Sequence, residues 1–189
     1  MEADNSNLSE GGSRMLNFSN IQTVSDDTPN IKVIGVGGGG GNAINRMIRA
    51  DMTGVDFIAI NTDAQDLENN SAENRIQIGK TLTKGLGAGA RSSIGAEAMT
   101  TEKEAVQNVI QSSDMVFITC GMGGGTGTGA APVIAQIANE LGILTVGIVT
   151  LPFKFEGPRR LERAMEGISE MKKVCDTVII IPNQKLMSI

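Results

Sequence analysis

Glycine placement constrains the fold of this chain more than any other feature of its sequence. The 189 residues include 24 glycines, of which six lie in residues 35–41, three in 85–89 and six in 121–129. Two of these segments adjoin the end of an apolar run rich in Val and Ile, and the segment 85–89 begins a short distance beyond one. A flexible linker would instead scatter glycine among serine and other polar residues. The three glycine segments therefore predict tight turns at the ends of buried strands.

Short apolar runs alternate with helical patterns from residue 31 onward. The runs predict six strands, at residues 31–36, 55–61, 75–78, 114–120, 143–150 and 177–181. Their continuous Val and Ile content is typical of strands that are covered on both faces. Strands that alternate with helices form parallel sheets through right-handed crossovers. The sequence thus predicts an α/β fold with a Rossmann-like, open, mostly parallel sheet and helices on both faces.

Capping and helix-breaking residues predict where four of the helices begin or end. Asn42 is a candidate N-cap for a helix over residues 42–50, and residues 101–104 form a candidate capping box for the next helix. A third helix is predicted over 128–141, with Pro132 in its first turn and Gly142 just beyond its end. A fourth begins at Pro158. Its predicted buried face comprises Leu161, Ala164, Met165, Ile168 and Met171.

The residue inventory excludes several kinds of functional site. The chain has no His, so it lacks the usual general base at neutral pH, the commonest metal ligand and any Ser-His-Asp triad. Cys120 and Cys175 lie far apart with no CxxC spacing, which argues against a zinc site or a disulfide framework. Aromatic residues make up 3% of the chain and the net charge is −5. We therefore expect no nucleic-acid partner, because neither stacking platforms nor a basic footprint is present.

The first 30 residues differ from the rest of the chain in their pattern of apolar residues. They mix polar residues with scattered apolar ones at no period. We predict that residues 1–30 are a disordered N-terminal tail and that residues 31–189 form one domain. No apolar run approaches the ~20 residues that cross a bilayer, and no signal peptide is recognisable. A cytoplasmic protein without direct membrane insertion is expected.

Two of the glycine segments, 35–41 and 121–129, run from a predicted strand into a predicted helix. Backbone N–H groups that carry no side chain can approach an anion closely, and the helix N-terminus adds positive potential. The first segment alone does not identify the anion, because it contains a GxGxxG pattern that would also suit NAD. Two cradles on one sheet edge suit an extended phosphate chain better. Since the chain has no GxxxxGK[ST] sequence, the Walker A P-loop, Mg²⁺ is the expected source of further positive charge.

The sequence GGGTGTG at 123–129 is the signature loop of the tubulin and FtsZ superfamily. Five companion motifs occur in that family's order: GVGGGGGNA at 35–43, NTDAQ at 61–65, GLGAGA at 85–90, PFKFEG at 152–157 and IPN at 181–183. Residues 31–189 as a whole resemble the nucleotide-binding half of FtsZ. The resemblance implies that the chain binds GTP or GDP together with Mg²⁺.

The resemblance also assigns roles to matching positions. The residues implied to hold the α- and β-phosphates are Gly38, Gly39, Gly40, Gly41, Asn42, Gly125, Thr126 and Gly127. The residues implied to close on the γ-phosphate are Ala88, Gly89 and Ala90. Those implied to lie near the phosphates and Mg²⁺ are Asn61 and Asp63, with no direct metal ligand. Those implied to meet the ribose and the nucleoside are Glu156, Arg160 and Asn183. For Asp63 a solvated strand-end carboxylate, and for Arg160 a surface helix cation, remain alternative interpretations.

The resemblance further implies GTP hydrolysis and head-to-tail assembly into filaments, which form a contractile ring with other cell-division proteins at the mid-cell septum. In this family an acidic loop of the next subunit completes the active site, so no catalytic residue is expected in this chain. Three departures stand out. Arg91-Ser92 replace a common Asn-Pro, Gln184 replaces a usual Asp, and the sequence ends at Ile189, where the family's central helix begins. A truncated fragment that hydrolyses GTP very slowly alone is therefore expected.

Two alternatives from other functional classes remain open on the sequence. One is an NAD-dependent oxidoreductase domain that uses residues 35–40. The second phosphate cradle and the absence of a hydride-transfer His argue against it. The other is a non-catalytic interaction module that caps filaments.

Overall fold

The computed structural model describes residues 28–186. The predicted tail therefore falls almost wholly outside the described residues. Six strands form one sheet: β1 (Ile31–Val36), β2 (Asp56–Asn61), β3 (Asn74–Gln77), β4 (Met115–Gly121), β5 (Leu144–Leu151) and β6 (Thr177–Pro182). The strand order is β3-β2-β1-β4-β5-β6, and each neighbouring pair is parallel. The predicted α/β class and Rossmann-like parallel sheet are confirmed.

Helices connect the strands and cover the sheet. They are α1 (Gly37–Arg49), α2 (Ala64–Glu68), α3 (Lys80–Thr83), α4 (Ser92–Thr101), α5 (Lys103–Ile110), α6 (Thr126–Glu140), α7 (Pro158–Val174) and α8 (Asn183–Leu186). A short 3₁₀ turn spans Lys154–Glu156. None of the described helices combines the length and apolarity needed to span a membrane.

Two apolar clusters lie on opposite faces of the sheet. The larger joins the sheet to helices α4 to α7 and includes Ile34, Ile118 and Ile134, all fully buried. The smaller lies beneath α1 and includes Val33 and Ile44. Because Val33 and Ile34 are successive residues of β1, their side chains point to opposite faces, as the period of a strand requires. Both clusters are filled by the Val and Ile runs that predicted the strands.

The strand order reverses between β1 and β4. From β1 the chain builds outward to β2 and β3, and then returns through β4 to β5 and β6. In open parallel sheets a crevice forms at such a switch point, outside the carboxyl ends of the two strands. The glycine segments 35–41 and 121–129 follow these two strands, so the topology brings them to one crevice.

The first helix begins at Gly37, so the prediction of Asn42 as its N-cap is wrong. The glycines form the first turn of α1, which is packed directly on the sheet. A Cβ added to Gly35 would lie 2.5 Å from both the Gly40 carbonyl oxygen and a side-chain carbon of Ile44. This close packing excludes side chains, and tertiary contact overrides the poor helix propensity of glycine.

The predicted capping box at 101–104 is also wrong. Thr101 is the last residue of α4, and its hydroxyl donates 2.9 Å to the backbone carbonyl of Glu97. Helix α5 then begins at Lys103 without a side-chain cap on Glu102. A threonine hydroxyl at a helix end can donate to a carbonyl of the helix before it or accept from an N–H of the helix after it. Here it donates to a carbonyl of α4.

Two helix boundaries agree with prediction and one differs. Gly142 follows the end of α6 with φ +72°, and α7 begins at Pro158, both as predicted. Helix α6 begins at Thr126, so Pro132 lies beyond the first turn rather than in it.

The predicted apolar face of α7 is only partly buried. Ala164, Ile168 and Met171 are buried, whereas Leu161 and Met165 are 43% and 52% exposed. Leu161 lies in the first turn, at the margin of the sheet, where it lines an open hollow. Burial along α7 therefore begins only after its first turn.

Candidate nucleotide-binding site

The two glycine segments meet backbone to backbone at the switch point. A Cβ added to Gly37 would lie 3.1 Å from the backbone nitrogen of Gly127, and one added to Gly39 would lie 3.0 Å from that of Gly121. Gly37 also has φ +68°, a left-handed conformation that favours glycine. Side chains at these positions would push the segments apart. Glycine is thus required here for contact as well as for access.

Helices α1 and α6 both begin at this meeting point. Neither helix has a side chain that caps its N-terminus, and neither has an acidic residue in its first turn. The first-turn N–H groups of a helix lack intrahelical partners and carry partial positive charge. Two such ends in contact produce a site suited to an extended anion.

The adjoining cleft has a volume of about 340 Å³. The predicted site residues that line it are Gly38, Gly39, Gly89, Gly125, Thr126, Gly127, Glu156, Arg160 and Asn183. It is also lined by residues absent from the predicted set, namely Val36, Gly37, Gly121, Met122, Gly124, Thr150 and Pro152. The cleft therefore gathers residues that follow β1, β4, β5 and β6 in the sequence.

One end of the cleft carries an ion pair. Nη1 of Arg160 lies 3.0 Å from Oε2 of Glu156, and Oε1 of Glu156 accepts a 2.8 Å hydrogen bond from the backbone N–H of Phe153. Asn183 lies at the same end, at the start of α8. These contacts fix the carboxylate while leaving lone pairs on both of its oxygens.

Four predicted residues at or near the first glycine segment do not line the cleft. Gly41, Asn42 and Asn61 line a separate polar cavity between α1 and β2. The amide of Asn70 donates 2.9 Å to the carbonyl of Gly41 across that cavity. Gly40 is buried, and a Cβ there would clash with the carbonyl of Thr119. These four positions therefore face the cavity between α1 and β2 or the sheet.

Residues 85–91, which we call the 85–91 loop, cover the second glycine segment. The backbone N–H of Gly125 donates 2.8 Å to the carbonyl of Gly89. Ala88 is buried beneath this contact, whereas Ala90 is exposed, and neither lines the cleft. The loop reaches the site through Gly89.

Asp63 has a structural role that the sequence did not reveal. Its Oδ1 accepts hydrogen bonds from the backbone N–H groups of Gln65 and Asp66, at 3.0 and 3.1 Å, and so caps α2. Its own N–H donates 3.2 Å to Oδ1 of Asn61. Among the described residues Asp63 does not line the cleft.

Two side chains clamp the second glycine segment from α6 and α7. Nε of Arg163 donates 3.1 Å to the carbonyl of Gly123, and the hydroxyl of Thr128 accepts 2.8 Å from the N–H of the same glycine. Sequence reasoning missed Arg163, whose only signal is its spacing of three residues from Arg160. Thr128 is buried, and its hydroxyl holds Gly123 in place.

The cysteines are free thiols, as the sequence predicted. Burial raises the pKa of Cys120 to about 12 and that of Cys175 to about 11. Both thiols are therefore protonated and unreactive at neutral pH. Within residues 28–186 no group of three or more acidic, Cys or His side chains could hold a metal ion.

Known proteins resemble this chain in both sequence and structure. A family model described as the Tubulin/FtsZ family, GTPase domain, matches residues 30–189. An FtsZ dimer of M. jannaschii, described as empty, has 51% identity and a TM-score of 0.83, covering 85% of this chain and 47% of that one. The GDP-bound CetZ1 monomer of Haloferax volcanii has 27% identity and a TM-score of 0.76, covering 82% and 51%.

A GTPγS-bound CetZ2 protofilament of Haloferax volcanii is similar at 25% identity, with a TM-score of 0.75 and coverage of 82% and 49%. The chain thus spans about half the length of these proteins. The family assignment argues against an NAD-dependent oxidoreductase. Because the family match extends over residues 30–189 and half of the aligned residues are shared with FtsZ, the chain belongs to the tubulin/FtsZ family and carries its GTPase domain.

Proposed function

We propose that this chain binds GTP and GDP with the phosphates across the two glycine segments. The observation that carries the proposal is the contact between two uncapped helix N-termini at the switch point of the sheet. No lysine lines the cleft within the described residues. Backbone amides therefore supply the phosphate contacts, and each charge-assisted bond contributes about 1.5–3 kcal/mol.

The residues at the two ends of the cleft differ in chemistry, and this difference indicates how a bound nucleotide is oriented. Glu156 can accept hydrogen bonds from ribose hydroxyls, and Asn183 offers both a donor and an acceptor to a base. We therefore assign the nucleoside to this end. The 85–91 loop, docked on Gly125, is assigned to the γ-phosphate. Gly40, Gly41, Asn42 and Asn61 are assigned to the packing of α1 on the sheet instead of direct contact with the phosphates.

Mg²⁺ fits this site as a phosphate-bound ion. Mg²⁺ keeps several waters and is commonly bound through substrate phosphates and one or two carboxylates. The carboxylate of Asp63 has one oxygen committed to the cap of α2. Its Oδ2 makes no hydrogen bond within residues 28–186 and lies near the 85–91 loop, 3.6 Å from a Cβ added to Gly87. When bound, the ion would neutralise charge on the phosphates, with Asp63 able to hold one of its waters.

Hydrolysis requires a group that orients the attacking water, and the cleft offers few candidates. Glu156 is the one carboxylate among the described lining residues, and it is paired with Arg160. We propose that the orienting carboxylate comes from an acidic loop of an adjacent subunit. The chain alone is then expected to turn GTP over very slowly.

Self-association completes the proposal. Among the similar proteins, one is an FtsZ dimer and another a CetZ2 protofilament. We propose head-to-tail polymers of the whole protein that form a contractile ring with other division proteins, in the cytoplasm at mid-cell. A subunit that presents this cleft outward would receive the next subunit's acidic loop over the γ-phosphate.

Calorimetric titration tests the binding proposal. Nucleotide-stripped chain is titrated with GTP, GDP and NADH, each in the presence of excess Mg²⁺. We expect heat of binding for GTP and GDP and none for NADH. Binding of NADH without GTP would overturn the assignment, as would no binding of any guanine nucleotide by folded chain.

Light scattering with a full-length FtsZ tests the assembly proposal. The chain should join filaments through its nucleotide cleft, and its GTP turnover should rise when the partner is added. A chain that shortens filaments without any rise in turnover would instead support the capping module. Unchanged assembly would contradict both.

A further inference from the structure

Thr62 is a fully buried threonine that lies between β2 and α2. Its hydroxyl oxygen is 2.7 Å from the hydroxyl oxygen of Thr126, the first residue of α6. Thr126 lines the cleft, whereas Thr62 does not. The pair therefore connects a residue of the proposed phosphate site to a side chain behind it.

The direction of this hydrogen bond follows from a count of protons. Each hydroxyl has one proton, and either oxygen could donate. Thr126 is the one hydrogen-bond partner of the Thr62 hydroxyl within residues 28–186. If Thr126 donated, the proton of Thr62 would be left buried and unpaired, which costs about 1–3 kcal/mol. Thr62 is therefore the donor.

With Thr62 as donor, the proton of Thr126 is free to point elsewhere. The Thr126 side chain lies beside the first glycine segment, because a Cβ added to Gly37 would be 3.3 Å from the Cβ of Thr126. An acceptor placed between the two glycine segments can then receive that proton. A hydroxyl that already accepts one hydrogen bond is polarised and donates more strongly. Such a donor suits an anionic oxygen.

Thr62 itself is held in place by the chain around it. Its carbonyl lies 3.2 Å from the hydroxyl of Thr83, which shares its one proton with the carbonyl of Gly79 at 3.1 Å. Two residues later, the N–H of Ala64 donates 3.0 Å to the carbonyl of Gly85. These bonds tie Thr62 to the start of the 85–91 loop. Its hydroxyl is therefore presented to Thr126 from a fixed backbone.

We propose that Thr62 is a positioning residue that directs the hydroxyl proton of Thr126 toward a phosphate oxygen in the cleft. The inference rests on the proposed function, since it needs a phosphate ligand. Thr62 touches no ligand itself and acts through Thr126.

Affinity for GDP in a set of matched variants tests this role. Thr62→Ser and Thr62→Ala both lack the methyl group and differ in the hydroxyl alone. Each is titrated with GDP in the full chain, with Thr126 intact and with Thr126→Val. We expect Thr62→Ala to bind GDP about three- to tenfold more weakly than Thr62→Ser, the value of one hydrogen bond. With Thr126→Val the two should bind equally, to within about twofold.

The outcomes separate a positioning role from a structural one. If the ratio of GDP affinities between Thr62→Ser and Thr62→Ala stays the same with Thr126→Val, Thr62 acts through the fold. If the two variants bind GDP equally with Thr126 intact, Thr62 has no role. Either result overturns the inference. Thermal unfolding without ligand identifies variants that do not fold, and Thr62→Val compared with the unaltered chain then replaces the Ser and Ala pair. If the unaltered chain binds no GDP, the proposed function fails and this inference with it. If it binds GDP and the ratio is one, the inference alone fails.

Discussion

Two adjacent glycines in the second glycine segment provide a substitution and its control. A Cβ added to Gly125 would lie 2.6 Å from the carbonyl oxygen of Gly89 and 2.9 Å from the Cβ of Ala88. A Cβ added to Gly124 would meet no atom within 4 Å. Gly125→Ala must therefore displace the 85–91 loop, whereas Gly124→Ala fits the structure as it stands.

The size of the effect follows from this geometry. The carbonyl of Gly89 must retreat by about 0.8 Å to reach an ordinary contact distance of 3.4 Å. This movement disrupts the 2.8 Å hydrogen bond from Gly125. One backbone hydrogen bond and its local packing contribute about 1–3 kcal/mol. Because Gly89 is exposed, we expect the loop to undock while the rest of the domain stays folded.

Hydrogen exchange and calorimetry together measure the loss. In Gly125→Ala, amides of the 85–91 loop should exchange about 5- to 150-fold faster, while the melting temperature changes little. GTP affinity should fall more than GDP affinity, since the loop is assigned to the γ-phosphate. Gly124→Ala should leave loop exchange unchanged. Equal exchange in the two variants would refute the steric argument, and equal losses of GTP and GDP affinity would refute the assignment of the loop.

Three further predictions address other parts of the site. Arg163→Ala should weaken GDP binding about threefold or more, because Gly123 loses its guanidinium contact, and calorimetry should show no loss for a surface arginine substituted in parallel. The thiol of Cys120 has a pKa of 9.0 in the unfolded chain and a pKa of about 12 in the folded one. Between these pH values the unfolded chain loses the proton while the folded chain keeps it, so the free energy of unfolding should fall as pH rises. Its limiting slope is about 1.4 kcal/mol per pH unit, and urea unfolding of Cys120→Val should show a shallower decline. Asp66→Asn should tighten GDP binding severalfold in low-salt buffer without Mg²⁺, because it removes a negative charge that would repel the phosphates. Oδ2 of Asp66 lies 3.1 Å from a Cβ added to Gly38. A difference in affinity that is undiminished in high salt would contradict an electrostatic cause.

The sheet and its ligand edge could be predicted because the relevant signals are local in sequence. Buried strands require Val and Ile runs, and the order of the glycine segments along the chain determines which strand ends they follow. The start of α1 could not be predicted in this way. Glycines disfavour helix in isolation, and the reason for a helix at Gly37 is the carbonyl of Thr119 packed against Gly40, some 80 residues further along the chain.

Side-chain roles in the site were harder to predict than its location. Asp63 follows a strand end, as a ligand residue would, but its carboxylate caps α2. Arg163 lies outside every motif, and Thr62 lies in the NTDAQ motif without an assigned role, because both residues act on backbone or side chains of elements distant in sequence. A motif does not distinguish residues that contact a ligand from residues that support those contacts. Residues that support those contacts become visible only when the packing is known.

The charge balance of the cleft connects nucleotide state to assembly. Among the described lining residues, Glu156 and Arg160 are the charged side chains, and they neutralise each other. Under the proposed function the protein would meet phosphate charge with dipoles, and a bound nucleotide with its Mg²⁺ would set most of the net charge of this face. Loss of the γ-phosphate would then change the charge presented to a neighbouring subunit by more than any residue of the cleft does. In the proposed polymer, hydrolysis alters the interface directly, without requiring a large change in the fold.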